Sequence, residues 1–330
     1  MHGAAGDDTR RASMKIGINL RNGGRTTSAS SILTLAARAE ELGFDSVWVS
    51  DHIAIPAQIE SVYPVWPGVF RPEDTQNYWE ALTVLAFVAG MTKRVELGTS
   101  VIVLPQRPPL LIAKQWATLD ALSGGRAILG VGAGWMRDEF DALGFGETFD
   151  KRGMATDESI KILRSAWTTD GPIEAHGAAY DFDPVLMWPK PARAGGLPIW
   201  IGGHGRRSIR RAAELGDGWQ PMFVSVDELN GHAAYLREQL TRYGRRPEDV
   251  TLSARVLAPP PSGGSGANAE EWELVGDPDE CADKLRRYAA AGVEHFLVDC
   301  PRGLSTAAML EAYEFVAREI RPRLEAVGSR

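Results

Sequence analysis

Asp51 and His52 stand side by side at the end of an apolar run, SVWVS. A histidine in that place can give or take a proton near neutral pH, with the carboxylate fixing the local geometry. A histidine that only hydrogen-bonds a loop fits the same pattern. A second stretch, Gly202-Gly203-His204-Gly205-Arg206-Arg207-Ser208, follows the run PIWI and opens a helix. Its glycines leave amides uncovered, and the helix N-terminus adds orphan donors and the positive end of its dipole. Arg206, Arg207 and Ser208 can add more, which makes a cradle for a phosphate; a tight turn with solvated arginines is the alternative. A third stretch, Gly130-Val131-Gly132-Ala133-Gly134-Trp135, has the wrong glycine spacing for a dinucleotide turn, and no strand ends in an acid near Asp150. Its glycines would instead let a ring or a neighbouring backbone come close. Trp66, Trp79, Trp135 and Trp188 are candidates to line a pocket, and Trp48, Trp116, Trp167 and Trp200 to pack the core.

Other chemistries lack their residues. There is no GK[ST] phosphate loop, no GxSxG elbow, no HExxH and no HxH pair. Cys281 and Cys300 have no zinc-type spacing, so no metal is expected. His2, His176, His232 and His295 fall in settings that suggest no role.

The elements that must position these residues follow one recurring pattern. A helical stretch ends at a glycine and a short apolar strand starts at once, as in AEELG-FDSVWVSD, LSGGR-AILGVGAG, AAELG-DGWQPM and AAAGV-EHFLVDC. Glycine in the left-handed conformation closes such helices, and short αβ turns belong to parallel βαβ units. The helices keep a 3.6-residue period: Ile32, Leu35, Ala36 and Ala39 share a face, as do Leu229, Ala233, Leu236 and Leu240, and Met309, Ala312, Tyr313 and Val316. Asp277-Pro278-x-Glu280 supplies a cap, a proline and a capping-box acid for another. Strands are expected at 15–20, 46–50, 95–104, 127–131, 198–201, 219–223, 251–257 and 294–299, each followed by a helix. Eight such units predict a single (β/α)8 TIM-type barrel over residues 14–330. Insertions are expected at 56–77, 144–196 (with a helix at about 157–167 and a hairpin around Gly177) and 259–268, on the face where barrel sites are built.

A net charge of −7 over 330 residues gives no basic face for nucleic acid. No run reaches the roughly 18 apolar residues of a membrane span. Residues 1–13 read as a flexible leader, and the cytoplasm is the expected compartment.

The stretches AEELGFDSVWVSDHI, ELGTSVIVLPQRPPLLIAKQWATLDALSGGRAILGVGAGWMRDEFDALG and PIWIGGHGRRSIRRAAELGDGW, with Lys190-Pro191 ahead of the last, together resemble the luciferase-like monooxygenase superfamily. More narrowly, they are similar to its branch using coenzyme F-420, a deazaflavin. The resemblance covers nearly all of the chain from Lys15 onward. It implies that Asp51 and His52 contact the coenzyme and the substrate, and that His52 supplies a proton. It also implies that Ser100-Val101 forms a bulge with a non-prolyl cis peptide behind the ring, and that Gly132, Ala133 and Gly134 lie close to the ring. Gly202, Gly203, His204 and Gly205 would hold the phosphate. Trp135 stands where the sugar-phosphate dehydrogenases of this branch carry a catalytic glutamate, so few titratable groups besides His52 are expected at the strand ends. Val103 replaces a polar residue sometimes found in that bulge. The implied reaction moves a hydride between carbon 5 of the deazaflavin and a small organic substrate. The alternatives are an FMN-dependent two-component monooxygenase and a flavin-binding barrel without turnover. A homodimer, and a reductase supplying reduced cofactor, are the implied partners.

Overall fold

The computed structural model describes residues 14–64, 77–261 and 269–326. Its centre is a closed barrel of eight parallel strands in chain order: Lys15–Asn19, Ser46–Val49, Glu96–Thr99, Ala127–Gly132, Ile199–Gly202, Gly218–Gln220, Thr251–Leu257 and His295–Asp299. Pairing of Lys15 with His295 and of Leu97 with Ala127 completes the ring. The helices Ala29–Glu41, Ala81–Met91, Pro109–Ser123, Arg152–Thr168, Arg206–Leu215, Val226–Arg242, Pro278–Ala290 and Thr306–Phe315 alternate with the strands. No described helix is long and apolar enough to cross a membrane.

The apolar faces read from the 3.6-residue period are buried against the barrel in all three helices. Asp277 accepts from the Glu280 amide and completes the expected capping box. Gly124 closes its helix at φ 72°, a conformation open to glycine at little cost. Gly216 departs from that rule, with φ −92°. It is glycine for space, because a Cβ there would come within 2.8 Å of Ile201.

Inside the barrel Trp48 and Trp200 stack at 5.1 Å with Ile128 and Leu297 around them. Gly98 and Gly218 leave the room that these indoles occupy. His295 stands edge-on to both rings and is held by the Ser46 and Ser253 hydroxyls at 2.8 and 3.1 Å. Burial, with Lys15 nearby, pushes its pKa down to about 3, so the imidazole is neutral.

Three expectations need correction. The third strand is not continuous over 95–104: it leaves the ladder at Ser100 and Val101 and resumes at Ile102–Val103 beside Val131 and Gly132. The Thr99 carbonyl there lies where a Cβ of residue 130 would be, at 1.8 Å, and only glycine admits it. The hairpin Ile173–His176 with Asp181–Val185 follows the helix Arg152–Thr168 and precedes the fifth strand, so it belongs to the barrel end remote from the strand C-termini. That helix also begins at Arg152 rather than about 157. The expected leader 1–13, the segment 65–76 with Trp66, and most of the loop 259–268 lie outside the described residues.

Candidate active site

The C-terminal ends of the strands enclose a cavity of about 680 Å³. Its floor begins at the Ser100–Val101 peptide, which is cis. The Val101 side chain fills the space that residues 132 and 202 leave by being glycine: a Cβ at either would fall 2.7 Å from a Val101 methyl. Gly132, Ala133 and Gly134 line the wall beside it, Gly134 at φ 82°. The glycines that resembled a nucleotide turn therefore make room for a neighbouring strand's bulge.

Asp51 pins that bulge. Its carboxylate accepts from the Val103 amide at 3.0 Å and from both Arg107 Nη groups at 2.8 and 2.7 Å, and the side chain is wholly inaccessible. The residue lines the cavity, but both of its oxygens are engaged by the protein.

His52 Nδ1 lies 2.7 Å from Glu139 Oε2, and Glu139 Oε1 accepts from the Ile53 and Ala54 amides at 2.8 and 3.2 Å. Burial alone would raise the Glu139 pKa, but the His52 contact and the two amides outweigh it and hold the group below the usual carboxylate range. An ionised Glu139 can only accept, so the proton of this bond is on His52 Nδ1. Tyr78 and Trp135 meet the imidazole edge-on at 5.2 and 6.3 Å. Asp138 accepts from the Glu60 and Ser61 amides at 3.1 and 3.0 Å; against the upward push of burial, the bonds from Ser61 and these amides draw it down to about 2. The short helix Arg137–Ala142 after the fourth strand thus clamps the loop after the second.

On the far side, Asp299 at the end of the eighth strand accepts from Arg255, from Asn19 Nδ2 at 3.2 Å and from Arg21 at 3.4 Å. Arg255 also donates to Ser100 Oγ at 3.3 Å, beside the cis peptide.

Gly202 and Gly203 line the cavity, Gly203 at φ 95°. The Gly203 amide points at the Gln220 carbonyl at 3.3 Å and its carbonyl accepts from Trp219 Nε1 at 2.8 Å. The helix that follows, Arg206–Leu215, has Gly205 at its N-cap and no side chain bonded to its first amides. Arg206 stacks on Tyr235, and Ser208 Oγ donates to the Gly205 carbonyl. His204 turns from the cavity to stack on His232 at 6.1 Å. Of the candidate pocket tryptophans, Trp135 lines the cavity and packs on Tyr63 at 5.0 Å. Trp79 does not; it is half exposed with its backbone tied to Asn22, and Trp188 is exposed on the opposite end with the hairpin.

A sequence profile of the luciferase-like monooxygenases matches residues 14–259. The chain belongs to this family. An uncharacterized protein of Mycobacterium tuberculosis is 37% identical to this luciferase-like chain over 205 residues, 62% of this chain and 69% of the relative. An F-420-dependent glucose-6-phosphate dehydrogenase of Amycolatopsis mediterranei is 29% identical over 338 residues, covering 90% of this chain and 95% of the relative. Among solved structures, an F-420-dependent secondary alcohol dehydrogenase holding an F-420–acetone adduct superposes with a TM-score of 0.77 at 20% identity, over 93% of this chain and 99% of that one. The FMN complex of the oxygenating constituent of 3,6-diketocamphane monooxygenase from Pseudomonas putida gives 0.72 at 19%, over 94% and 99%. At such identities these two likenesses concern the fold alone.

In this luciferase-like barrel the expected scarcity of titratable groups at the strand ends is wrong. Glu139, Asp299, Arg255, Tyr63 and Tyr78 all face the cavity. Arg255 and Asp299 had a readable signal, since each is the one formal charge inside or ending a strand otherwise free of acids, lysines and arginines. Glu139 lies four residues beyond Trp135, on the short helix Arg137–Ala142, which carries no apolar period to mark it in the sequence.

Proposed function

We propose that this oxidoreductase uses coenzyme F-420 and moves a hydride between the deazaflavin and a small organic substrate. The observation that carries the reading is the make-up of one cavity: an aliphatic floor at Val101, and on its rim a glycine turn leading to a helix N-terminus with no side-chain cap. A flat ring fits over the floor, and a phosphate fits the amides of residues 206–208 together with the positive end of the helix. When bound, the reduced coenzyme would supply the hydride from carbon 5. Gly132, Ala133 and Gly134 would border the ring, and Trp135 with Tyr63 would exclude water from one side. His52, its Nδ1 proton fixed on Glu139, would exchange a proton with the substrate at Nε2; the carboxylate fixes the ring's tautomer and orientation. Asp51 would act at one remove, by holding Val103 and Arg107 so that the floor keeps its shape.

Fluorescence titration of the purified protein with F-420 and with FMN tests this. F-420 should bind at least tenfold more tightly. Tighter FMN binding would favour a two-component monooxygenase, and a bound cofactor with no turnover of any electron acceptor would leave a binding barrel. Phe87, Met91, Leu111 and Leu122, all exposed on the helices Ala81–Met91 and Pro109–Ser123, support a homodimer through that face. Light scattering on wild type and Phe87→Glu, which should be monomeric, tests it.

A further inference from the structure

Gln106 ends the short turn Leu104–Gln106 after the third strand and lines the cavity, only 3% exposed. Its Oε1 is buried without a hydrogen-bond partner, and among the described residues nothing bonds to its amide nitrogen either. The asparagines, serines, tyrosines and threonine of the lining, by contrast, all bond within the protein. So do the lining carboxylates: Asp51 is held by Arg107, Glu139 by His52, and Asp299 by Arg21 and Arg255.

A buried carboxamide with both ends open costs stability, and an apolar side chain of the same length would fill the space without that cost. The backbone around it is fixed, so the open amide does not mark a loose segment. Pro105 precedes it and restricts the turn. Arg107 follows, its amide bonded to the Leu104 carbonyl at 3.0 Å and its guanidinium to both Asp51 oxygens. The same carboxylate holds the Val103 amide. Val101, Val103 and Gln106 line the cavity from one strand end, and the last two are nearly buried. Gln106 therefore belongs to the edge of the floor and not to the exposed rim.

We infer that Gln106 reads the imide edge of the coenzyme's ring. Its Oε1 accepts from the ring N–H at position 3, and its amide nitrogen donates to a neighbouring ring carbonyl. The inference rests on the proposed coenzyme reading and gives that ring an orientation, with its imide edge toward the end of the third strand. A carboxamide offers an acceptor and a donor side by side. A ligand with a single polar atom would leave one of them unanswered, whereas an imide answers both. The imide is common to the deazaflavin and to FMN, so Gln106 recognises the ring and leaves the choice between the two to the rest of the site.

The test combines one substitution with one methyl group. 8-Hydroxy-5-deazariboflavin, which is the ring with its ribityl chain, and its 3-methyl derivative are titrated by fluorescence into wild type and Gln106→Met. Methionine keeps the length and removes the amide. Wild type should bind the parent ring at least tenfold more tightly than the methylated one. Gln106→Met should bind F-420 at least tenfold more weakly than wild type and tell the two rings apart by less than twofold. Its thermal midpoint should equal or exceed that of wild type, because the open amide is gone. A variant that melts lower or fails to fold would overturn the inference, since the amide would then serve the fold. So would an unchanged F-420 affinity in the variant, equal binding of both rings by wild type, or a methyl penalty that survives the substitution. If wild type binds no F-420, the parent reading fails by itself. FMN and 3-methyl-FMN then replace the deazaflavin pair under the same criteria, and a protein that binds neither ring overturns the inference as well.

Discussion

Replacing Glu139 by glutamine isolates the part of the site that depends on one carboxylate. Glu139 Oε1 accepts from the Ile53 and Ala54 amides, and Oε2 accepts from His52 Nδ1 at 2.7 Å. A glutamine can keep its oxygen on the two amides, but its NH2 group then faces His52. Two donors cannot share a bond, so the imidazole must move its proton to Nε2 and accept at Nδ1. A hydrogen bond to a charged group contributes roughly 1.5–3 kcal/mol and a neutral one roughly 0.5–1.5, so the exchange should cost about 1–2 kcal/mol of stability. General acid–base catalysis is worth roughly 10²–10⁴-fold, and most of it should go once the tautomer is reversed. Long-range 1H–15N correlation spectra of histidine-labelled protein read the tautomer directly and need no substrate. Wild type should show a protonated Nδ1 at residue 52 and Glu139→Gln an unprotonated one, with the F-420 Kd within threefold. An unprotonated Nδ1 in wild type at neutral pH would refute the reasoning, because Glu139 would then not be the acceptor of that bond.

Gly130→Ala should unfold the protein or cost several kcal/mol, because its Cβ would meet the Thr99 carbonyl at 1.8 Å, whereas Gly205→Ala, with nothing within 4 Å, should stay within about 1 kcal/mol of wild type in urea unfolding. Gly205→Asp should cap the helix Arg206–Leu215 and stabilise it by roughly 0.5–1 kcal/mol, yet weaken F-420 binding at least tenfold, since the new carboxylate takes the amides proposed for the phosphate. His295 has a folded pKa near 3 against an ordinary 6.5, so the unfolded chain binds the extra proton in between. Its contribution to stability is complete above pH 6.5 and is lost as pH falls towards 3. From pH 7 to pH 5 wild type should therefore lose about 2 kcal/mol more than His295→Asn, measured by urea unfolding at both values.

The barrel was legible because its rules are local and repeated. The face formed by Leu229, Ala233, Leu236 and Leu240 can be read one helix at a time, and so can the cap at Asp277. The third strand was misread because the apolar run VIVL continues it past Thr99 and Ser100, and period and propensity do not register that the Thr99 carbonyl takes the place of a missing side chain at Gly130. The same limit applies to the site. Residues at strand ends could be named from the chain, and Asp51, His52, Trp135, Gly202 and Gly203 do line one cavity. Partnerships across the barrel could not be named: Glu139 reaches His52 over 87 positions and Asp299 reaches Asn19 over 280. The glycine turn after the fifth strand was read by composition, so His204 was included with its glycines, although its ring turns outward to His232.

The stacked Trp48 and Trp200, with His295 wedged against both, close the barrel beneath the cavity. Among the described residues, the barrel side of the site is shut by these buried rings. Whatever rests on the Val101 floor must arrive before anything laid over it and cannot depart until that second guest has gone. If a coenzyme rests on that floor with a substrate above it, traffic is last in, first out, and the order of binding follows from two indoles outside the cavity lining.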